Sequence, residues 1–365
     1  MKIALIHDHL IQSGGAERVL KVMSELYPEA PIYTLVYDSS RLHPLFDKSR
    51  VRTSFLQHIP FSTKNYQWLL PLMPLATESY DLSEFDVILS SSSAFSKGII
   101  TRPGTTHICY CHTPTRYLWM DTHSYVNEIR QPRIVKAVLP LMLSRMRIWD
   151  RLAAERVDSF IANSLTVQRR IQKYYNRGSE IIHPPVSVAQ SYVGKGEGSY
   201  YLAGGRLVSY KRLDIVVDAF NRLGIALKLF GTGPAYSQLA SSAKKNIEFV
   251  GNVSDADLQK LYGNCIAYIH PQEEDFGITA IEAMAAGRPV IAYAGGGALE
   301  TIQGGITGQF LYDQDYAALI DLVLHFKPEM YHPHTIHEYA MQFDTSVFKE
   351  KILQYVRIAF ERIRK

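Results

Sequence analysis

The run Ala267-Tyr-Ile-His270, followed by Pro271-Gln-Glu-Glu-Asp-Phe-Gly277 and then by residues 278–286, leaves few folds open to the chain. Its first four residues read as a buried strand, and Phe276-Gly277 breaks that strand. Residues 278–286 then set apolar and small side chains at helical spacing until Gly287 and Pro289 stop the helix. Pro289–Tyr293 is a second apolar run. A helix that starts straight after a strand leaves its first N–H groups unpaired, and with the helix dipole they form an anion site suited to phosphate. Glu274 stands just before this helix and Glu282 lies inside it. Two carboxylates beside an anion site suit a ligand with both phosphate and hydroxyl groups, such as a nucleotide-sugar. A blander reading makes Glu274 a first-turn acid that complements the dipole and Glu282 a solvated helix residue.

The same alternation runs through both halves of the chain. Lys2–His7 reads as a strand, and Gln12-Ser-Gly-Gly-Ala-Glu-Arg18 as a loop that opens a helix to about Tyr27. The loop lacks G-x-G-x-x-G, so no nicotinamide fingerprint is present, but Gly14 and Gly15 let the backbone approach a ligand closely. Further short apolar runs follow at 31–37, 51–56, 86–90 and 106–111, the last leading into His112-Thr-Pro-Thr-Arg-Tyr-Leu-Trp119. Strand ends are where open α/β sheets hold ligands, which makes His112 and Arg116 candidates. Cys109 and Cys111 share a strand face, yet no second Cys pair completes a zinc set. Phe61–Ala76 reads either as a core helix broken by Pro71 and Pro74 or as a surface that meets a lipid or a partner. Arg133–Val157 reads as a basic amphipathic helix, with an anionic membrane face or a solvated rim as its two uses. Ser159–Asn163 is a strand, with Asn163-Ser164 capping the helix after it. His325, His332, His334 and His337 read as part of a Pro-containing surface connection.

Length and composition narrow the class. A chain of 365 residues predicts two domains, and 47% hydrophobic with 20% charged residues is ordinary for globular proteins. The formal charge of +4 gives no argument for nucleic acid. Three cysteines suggest no disulfide framework. The opening Met-Lys-Ile-Ala-Leu-Ile reads as a strand and not a secretory leader, and no apolar run reaches the ~18–20 residues of a membrane span. The expected location is therefore the cytoplasm, with membrane contact only at the surface, by way of 61–76 and 133–157. Domain boundaries are expected at 1–185, a Gly-rich linker at 186–198, a second domain at 199–342 and a last amphipathic helix in 343–365.

Four motifs occur in order. They are Gly204-Gly-Arg206-x4-Lys211, Phe230-Gly231-Thr-Gly233, Val250-Gly-Asn-Val253-Ser, and Glu274-Asp-Phe-Gly-Ile-x3-Glu282-Ala-Met-Ala. Together they resemble family 4 glycosyltransferases, and the resemblance covers nearly the whole chain. Gly-Gly-Ala-Glu-Arg and Cys-His-Thr-Pro-Thr-Arg-Tyr-Leu-Trp are similar to the bacterial subgroup that builds O-antigen and exopolysaccharide, where mannosyltransferases are frequent. Asp275 departs from the family, which usually has Gly there.

The resemblance implies the α/β GT-B fold: two Rossmann-like domains facing across a cleft, with the C-terminal helix returning to the N-terminal domain. It implies a retaining transfer from a nucleotide-sugar, GDP-mannose favoured, to a lipid-linked saccharide, with no metal or other cofactor required. Arg206 and Lys211 would then take the diphosphate, doing what Mg²⁺ does in metal-dependent enzymes. The amides of Gly277 and Ile278, after Phe276, would add donors to the same phosphates. Glu282 would bind the ribose, Glu274 the donor sugar, and the Val253 backbone would lie near the base. Gly15, beside Gly14, would approach the phosphates, and His112 the sugar or its reacting face. A UDP-linked donor is the nearest alternative. A non-catalytic nucleotide-sugar-binding partner is the alternative from another class, and donor hydrolysis without acceptor would separate the two.

Overall fold

The computed structural model describes residues 1–42, 45–64, 66–122 and 133–363. It divides into two compact units, Met1–His183 with the chain from Phe348 on, and Pro184–Val347. In the first, among the described residues, seven parallel strands form one sheet. They are β1 (Ile3–His7), β2 (Ile32–Thr34), β3 (Val51–Thr53), β4 (Val87–Ser92), β5 (Thr106–Cys111), β6 (Ser159–Ala162) and β7 (Ser179–Ile181). Their order is β3-β2-β1-β4-β5-β6-β7. The second unit holds β8 (Tyr200–Gly204), β9 (Leu227–Phe230), β10 (Ile247–Gly251), β11 (Cys265–His270), β12 (Val290–Tyr293) and β13 (Gly308–Leu311). Here the order is β10-β9-β8-β11-β12-β13, again parallel.

Parallel neighbours need crossovers, which cover both sheet faces with helices, so the strands must be apolar on both sides. Every residue of β1, β4, β5 and β8 is buried accordingly. In each sheet the strand order reverses once, between β1 and β4 and between β8 and β11. Two crossovers leave in opposite directions there and open a crevice at the strands' C-terminal ends, where ligands of such sheets bind. His7, Ser91 and His112 stand at the first crevice, and Gly204 and His270 at the second.

Phe348, Ile352, Val356 and Ala359 lie on one face of the last helix, Thr345–Ile363, and join the core of the first unit with Leu5, Leu89, Ile108 and Ile161. A buried side chain of this size contributes roughly 1.5–3 kcal/mol, enough to fix that helix on its sheet. Residues 186–198 lie against the second unit. Val186 and Val188 are buried in its core, and the Asp344 carboxylate accepts from the amides of Val188 and Ala189, each at 3.0 Å.

Between 61 and 76 the chain forms a 3₁₀ helix, Tyr66–Leu72, and then a short α-helix, Met73–Glu78. Leu70, Met73 and Ala76 are buried there, while Phe61, Trp68 and Leu75 are 71%, 58% and 59% exposed. The helix Arg133–Glu155 passes through Pro140, burying Leu139, Leu143 and Met146 and exposing Leu141, Ile148 and Leu152. Among the described residues no helix is long and apolar enough to cross a membrane. The histidine-rich connection is a correction. His325 ends the helix Tyr316–His325, and His334 and His337 lie inside the helix Pro333–Ala340. Pro333, taken in the sequence for a loop signal, occupies the first helical turn, where its missing N–H is harmless.

Candidate functional site

In the second unit the turn after β8 and the turn after β11 meet. Lys211, in the 3₁₀ turn Ser209–Lys211, is 7% exposed, and its ammonium donates to Oε1 of Glu274. The other carboxylate oxygen, Oε2, faces Nε2 of His270 at 3.9 Å. Behind that ring the Gln272 amide lies 3.1 Å from Nδ1. An amide N–H there leaves the ring's own hydrogen on Nε2, aimed at Glu274. Burial pushes His270 down to about 4 against the pull of Glu274, so the ring is neutral. Burial opposes the charge of Glu274, yet Lys211, His270 and hydrogen bonds from Lys211 and Gln272 outweigh it and hold the carboxyl below its ordinary range.

The helix Ile278–Ala285 begins beside this cluster. Gly277 caps it in the left-handed region, φ 89°, and a Cβ there would lie 3.2 Å from Nε2 of His270. The three glycines at 295–297 close the other side, where the Gly297 amide donates to the Glu274 carbonyl at 2.8 Å. A buried cation, a fixed carboxylate and a helix start thus adjoin one another. That set can hold an anion and hydroxyl groups together. Of the remaining residues singled out in the sequence, Glu282 accepts from the Tyr262 hydroxyl at 3.1 Å. Arg206 is exposed, with the Tyr210 hydroxyl at 3.3 Å. Phe276 is buried edge-on to Phe343, and Val253 is half-buried just ahead of the helix Asp255–Gly263. Asp275 is half-buried in the turn before Gly277.

The first unit places His112 just past β5, half-buried, with Nε2 2.8 Å from the Ser91 hydroxyl. Burial pushes it down to about 4, so it too is neutral. Asn163 holds its carbonyl at 2.9 Å, and Ser164 caps the next helix as its position suggests, accepting from the Val167 amide at 3.2 Å. Gly14 caps the helix Gly15–Leu26 and Gly15 is exposed at its start.

Most of Thr113–Trp119 serves the scaffold. Thr115 Oγ1 and Trp119 Nε1 each donate to Asp150 at 2.7 Å, where Tyr175 donates at 2.8 Å and Lys97 at 2.6 Å. Cys109 and Cys111 are buried free thiols, and burial pushes Cys109 up to about 12. Among the described residues no group of three or more His, Cys, Asp or Glu side chains is placed to hold a metal.

Sequence reading missed His270 and Gln272 as partners of Glu274, and Ser91 as the partner of His112. The available signal was polar residues at the C-terminal ends of apolar strands.

A family model described as "Glycosyltransferase Family 4" matches residues 13–190, and one described as "Glycosyl transferases group 1" matches 190–343. An uncharacterized glycosyltransferase of Methanocaldococcus jannaschii is 25% identical over 222 residues, 60% of this chain and 63% of that protein. The O-antigen chain mannosyltransferase C of Escherichia coli is 25% identical over 206 residues, 53% of this chain and 55% of that protein. The matches thus span between about half and two-thirds of these relatives' lengths. Among solved structures, Anabaena HepE in complex with UDP superposes with a TM-score of 0.73 at 17% identity, covering 98% of this chain and 100% of that one. A likeness at that identity speaks for the fold.

Proposed function

Because the chain belongs to the family 4 glycosyltransferases and has the GT-B fold, we propose that it transfers a sugar from a nucleotide-sugar to an acceptor hydroxyl with retention of configuration. One observation carries this reading: a buried Lys211 held by Glu274 beside the start of the helix Ile278–Ala285. As the glycosidic bond breaks, the departing diphosphate gains charge. Lys211, with Arg206 and the first amides of that helix, meets that charge with groups already in place. The leaving phosphate takes the acceptor's proton, and Glu274 holds hydroxyls of the transferred sugar without attacking it. Glu282 binds the ribose, and the backbone at Val253 lies near the base. In the first unit Gly15 approaches the phosphates and His112 the sugar.

The proposed donor is GDP-mannose and the proposed acceptor a lipid-linked saccharide of a bacterial surface polysaccharide. The relative named as an O-antigen chain mannosyltransferase supports mannose as the sugar and a surface polysaccharide as the product. A UDP-sugar is the second reading, favoured by the structural neighbour HepE, solved in complex with UDP. Thermal-shift measurements with GDP, UDP and their sugars decide between them. At ~100 times Kd the true nucleotide adds roughly 2.7 kcal/mol of apparent stability. No shift with any nucleotide overturns the reading, and a shift with UDP alone overturns the mannose donor.

The acceptor's lipid implies work at the inner face of the cytoplasmic membrane. Ile59, Pro60, Phe61, Ser62, Trp68 and Leu69 line an open groove of about 310 Å³, and residues 54–77 contain Lys64 and His58 but no acid. Leu141, Ile148 and Leu152 add an exposed stripe interrupted by Arg145. Apolar side chains with cations among them suit an anionic bilayer surface. Flotation with phosphatidylglycerol vesicles is expected to recover the protein. Changing Phe61 and Trp68 together to Ala weakens recovery about tenfold, as losing two interfacial aromatics should. Undiminished flotation of that variant overturns this face.

A further inference from the structure

We propose that Glu17, His7 and Ser91 form a polar chain, a carboxylate–imidazole contact followed by two hydrogen bonds, that sets the tautomer of His112 and makes its Nδ1 an acceptor for a sugar hydroxyl. The four residues come from the ends of β1, β4 and β5 and from the helix Gly15–Leu26, around the crevice of the first sheet. Oε1 of Glu17 lies 3.7 Å from Nε2 of His7, Nδ1 of His7 lies 3.0 Å from the Ser91 hydroxyl, and that hydroxyl lies 2.8 Å from Nε2 of His112. His7, Glu17 and Ser91 are all buried.

The directions follow from the chemistry of each group. An ionised carboxylate accepts only, so Nε2 of His7 carries a hydrogen toward Glu17, and in a ring with one hydrogen Nδ1 carries a lone pair. The Ser91 hydroxyl therefore donates to His7 and accepts from Nε2–H of His112. Nδ1 of His112 is left with its lone pair, since the ring's hydrogen bond among the described residues is made at Nε2. A lone pair repels phosphate oxygens and welcomes a hydroxyl.

The surroundings keep Glu17 an acceptor. The groups facing His7 are Glu17, Asp8, His9 and, through Ser91, His112. Asp8 is fixed by the amides of Ser93, Ala94, Phe95 and Ser96 at 2.6–2.9 Å. Burial opposes ionisation of Glu17, but the His7 ring beside it outweighs burial and holds the carboxyl below its ordinary range. Gly14 leaves room for this carboxylate: a Cβ there would lie 2.9 Å from Oε2 of Glu17 and would make it shift.

The use of this acceptor for a sugar rests on the glycosyltransferase reading, while the tautomer does not. Protein labelled with ¹⁵N-histidine, with His112→Gln for assignment, is expected to show neutral His112 with its hydrogen on Nε2 in long-range proton–nitrogen spectra near pH 7.5. Ser91→Ala gives a mixture of tautomers. Hydrogen on Nδ1 in the wild-type protein, or an unchanged tautomer in Ser91→Ala, overturns the chain whatever the protein transfers. In the transfer assay Ser91→Ala lowers kcat/KM about tenfold, the loss of one hydrogen bond, and leaves the thermal shift by the free nucleotide diphosphate unchanged. Full transfer by Ser91→Ala overturns the link to the sugar. A wild-type protein that transfers nothing would overturn the glycosyltransferase reading and leave the spectra to decide the chain.

Discussion

Lys211→Ala is expected to lower kcat by roughly 10²–10³-fold, the effect of removing one preorganised donor from a developing oxyanion. Its effect on donor KM should be smaller. Lys211 is shielded from water, so its field on a nearby phosphate is weakly screened, and the charge it meets grows as the bond breaks. Glu274 sharpens the expectation. Its carboxylate holds the Lys211 ammonium in place, so the cation needs no reorganisation when the diphosphate departs. Removing Lys211 also strands a buried carboxylate, whose affinity for protons then rises. Steady-state kinetics over donor concentration check this. Equal changes in kcat and KM would mean that Lys211 binds ground state and transition state alike, and the proposed role would fail.

The largest effect on stability is expected from Asp150→Ala, about 3–5 kcal/mol, the usual result of removing one partner from a buried ion pair. Both members of the Lys97–Asp150 pair are buried, and Thr115, Trp119 and Tyr175 also donate to the carboxylate. The substitution leaves a buried ammonium and three donors without their acceptor. At about 2–4 °C per kcal/mol for a unit of this size, the melting transition of the first unit should fall by roughly 10 °C. Calorimetry tests it, and a drop under about 2 °C would show that water or a rearranged Lys97 replaces the carboxylate. Lys97→Met combined with Asp150→Leu should recover much of the loss, since an apolar pair leaves nothing unsatisfied.

The sequence made the layers legible because they are local. The helix Leu213–Leu223 carries its own period and a C-terminal glycine, and the apolar run before His270 could only be a buried strand. The two halves of the second site were each legible as well, Lys211 on one turn and Glu274 on another. Their pairing was not. It depends on β8 lying beside β11, and parallel neighbours are chosen by the whole sheet and not by spacing along the chain. Separate duties for the cation and the carboxylate were the natural reading until the strand order joined them. Asp150 was hidden differently: one of two acids, with Glu155, in a helix read as basic, its importance set by side chains from three other segments. Pro333 misled in the opposite sense, because a proline that begins a helix and one that ends a loop look alike.

The last helix has a consequence for how the molecule is made. Phe348, Ile352, Val356 and Ala359 complete the core of a unit whose sheet is otherwise finished by Ile181. Made from its N-terminus at about 5–20 residues per second, the chain has its second unit whole while the first still lacks a wall. For roughly 10–35 s the apolar face around Leu5, Leu89 and Ile108 waits for a segment not yet synthesised. Birth order and folding order are therefore reversed. The half of the protein that emerges first is the half that matures last.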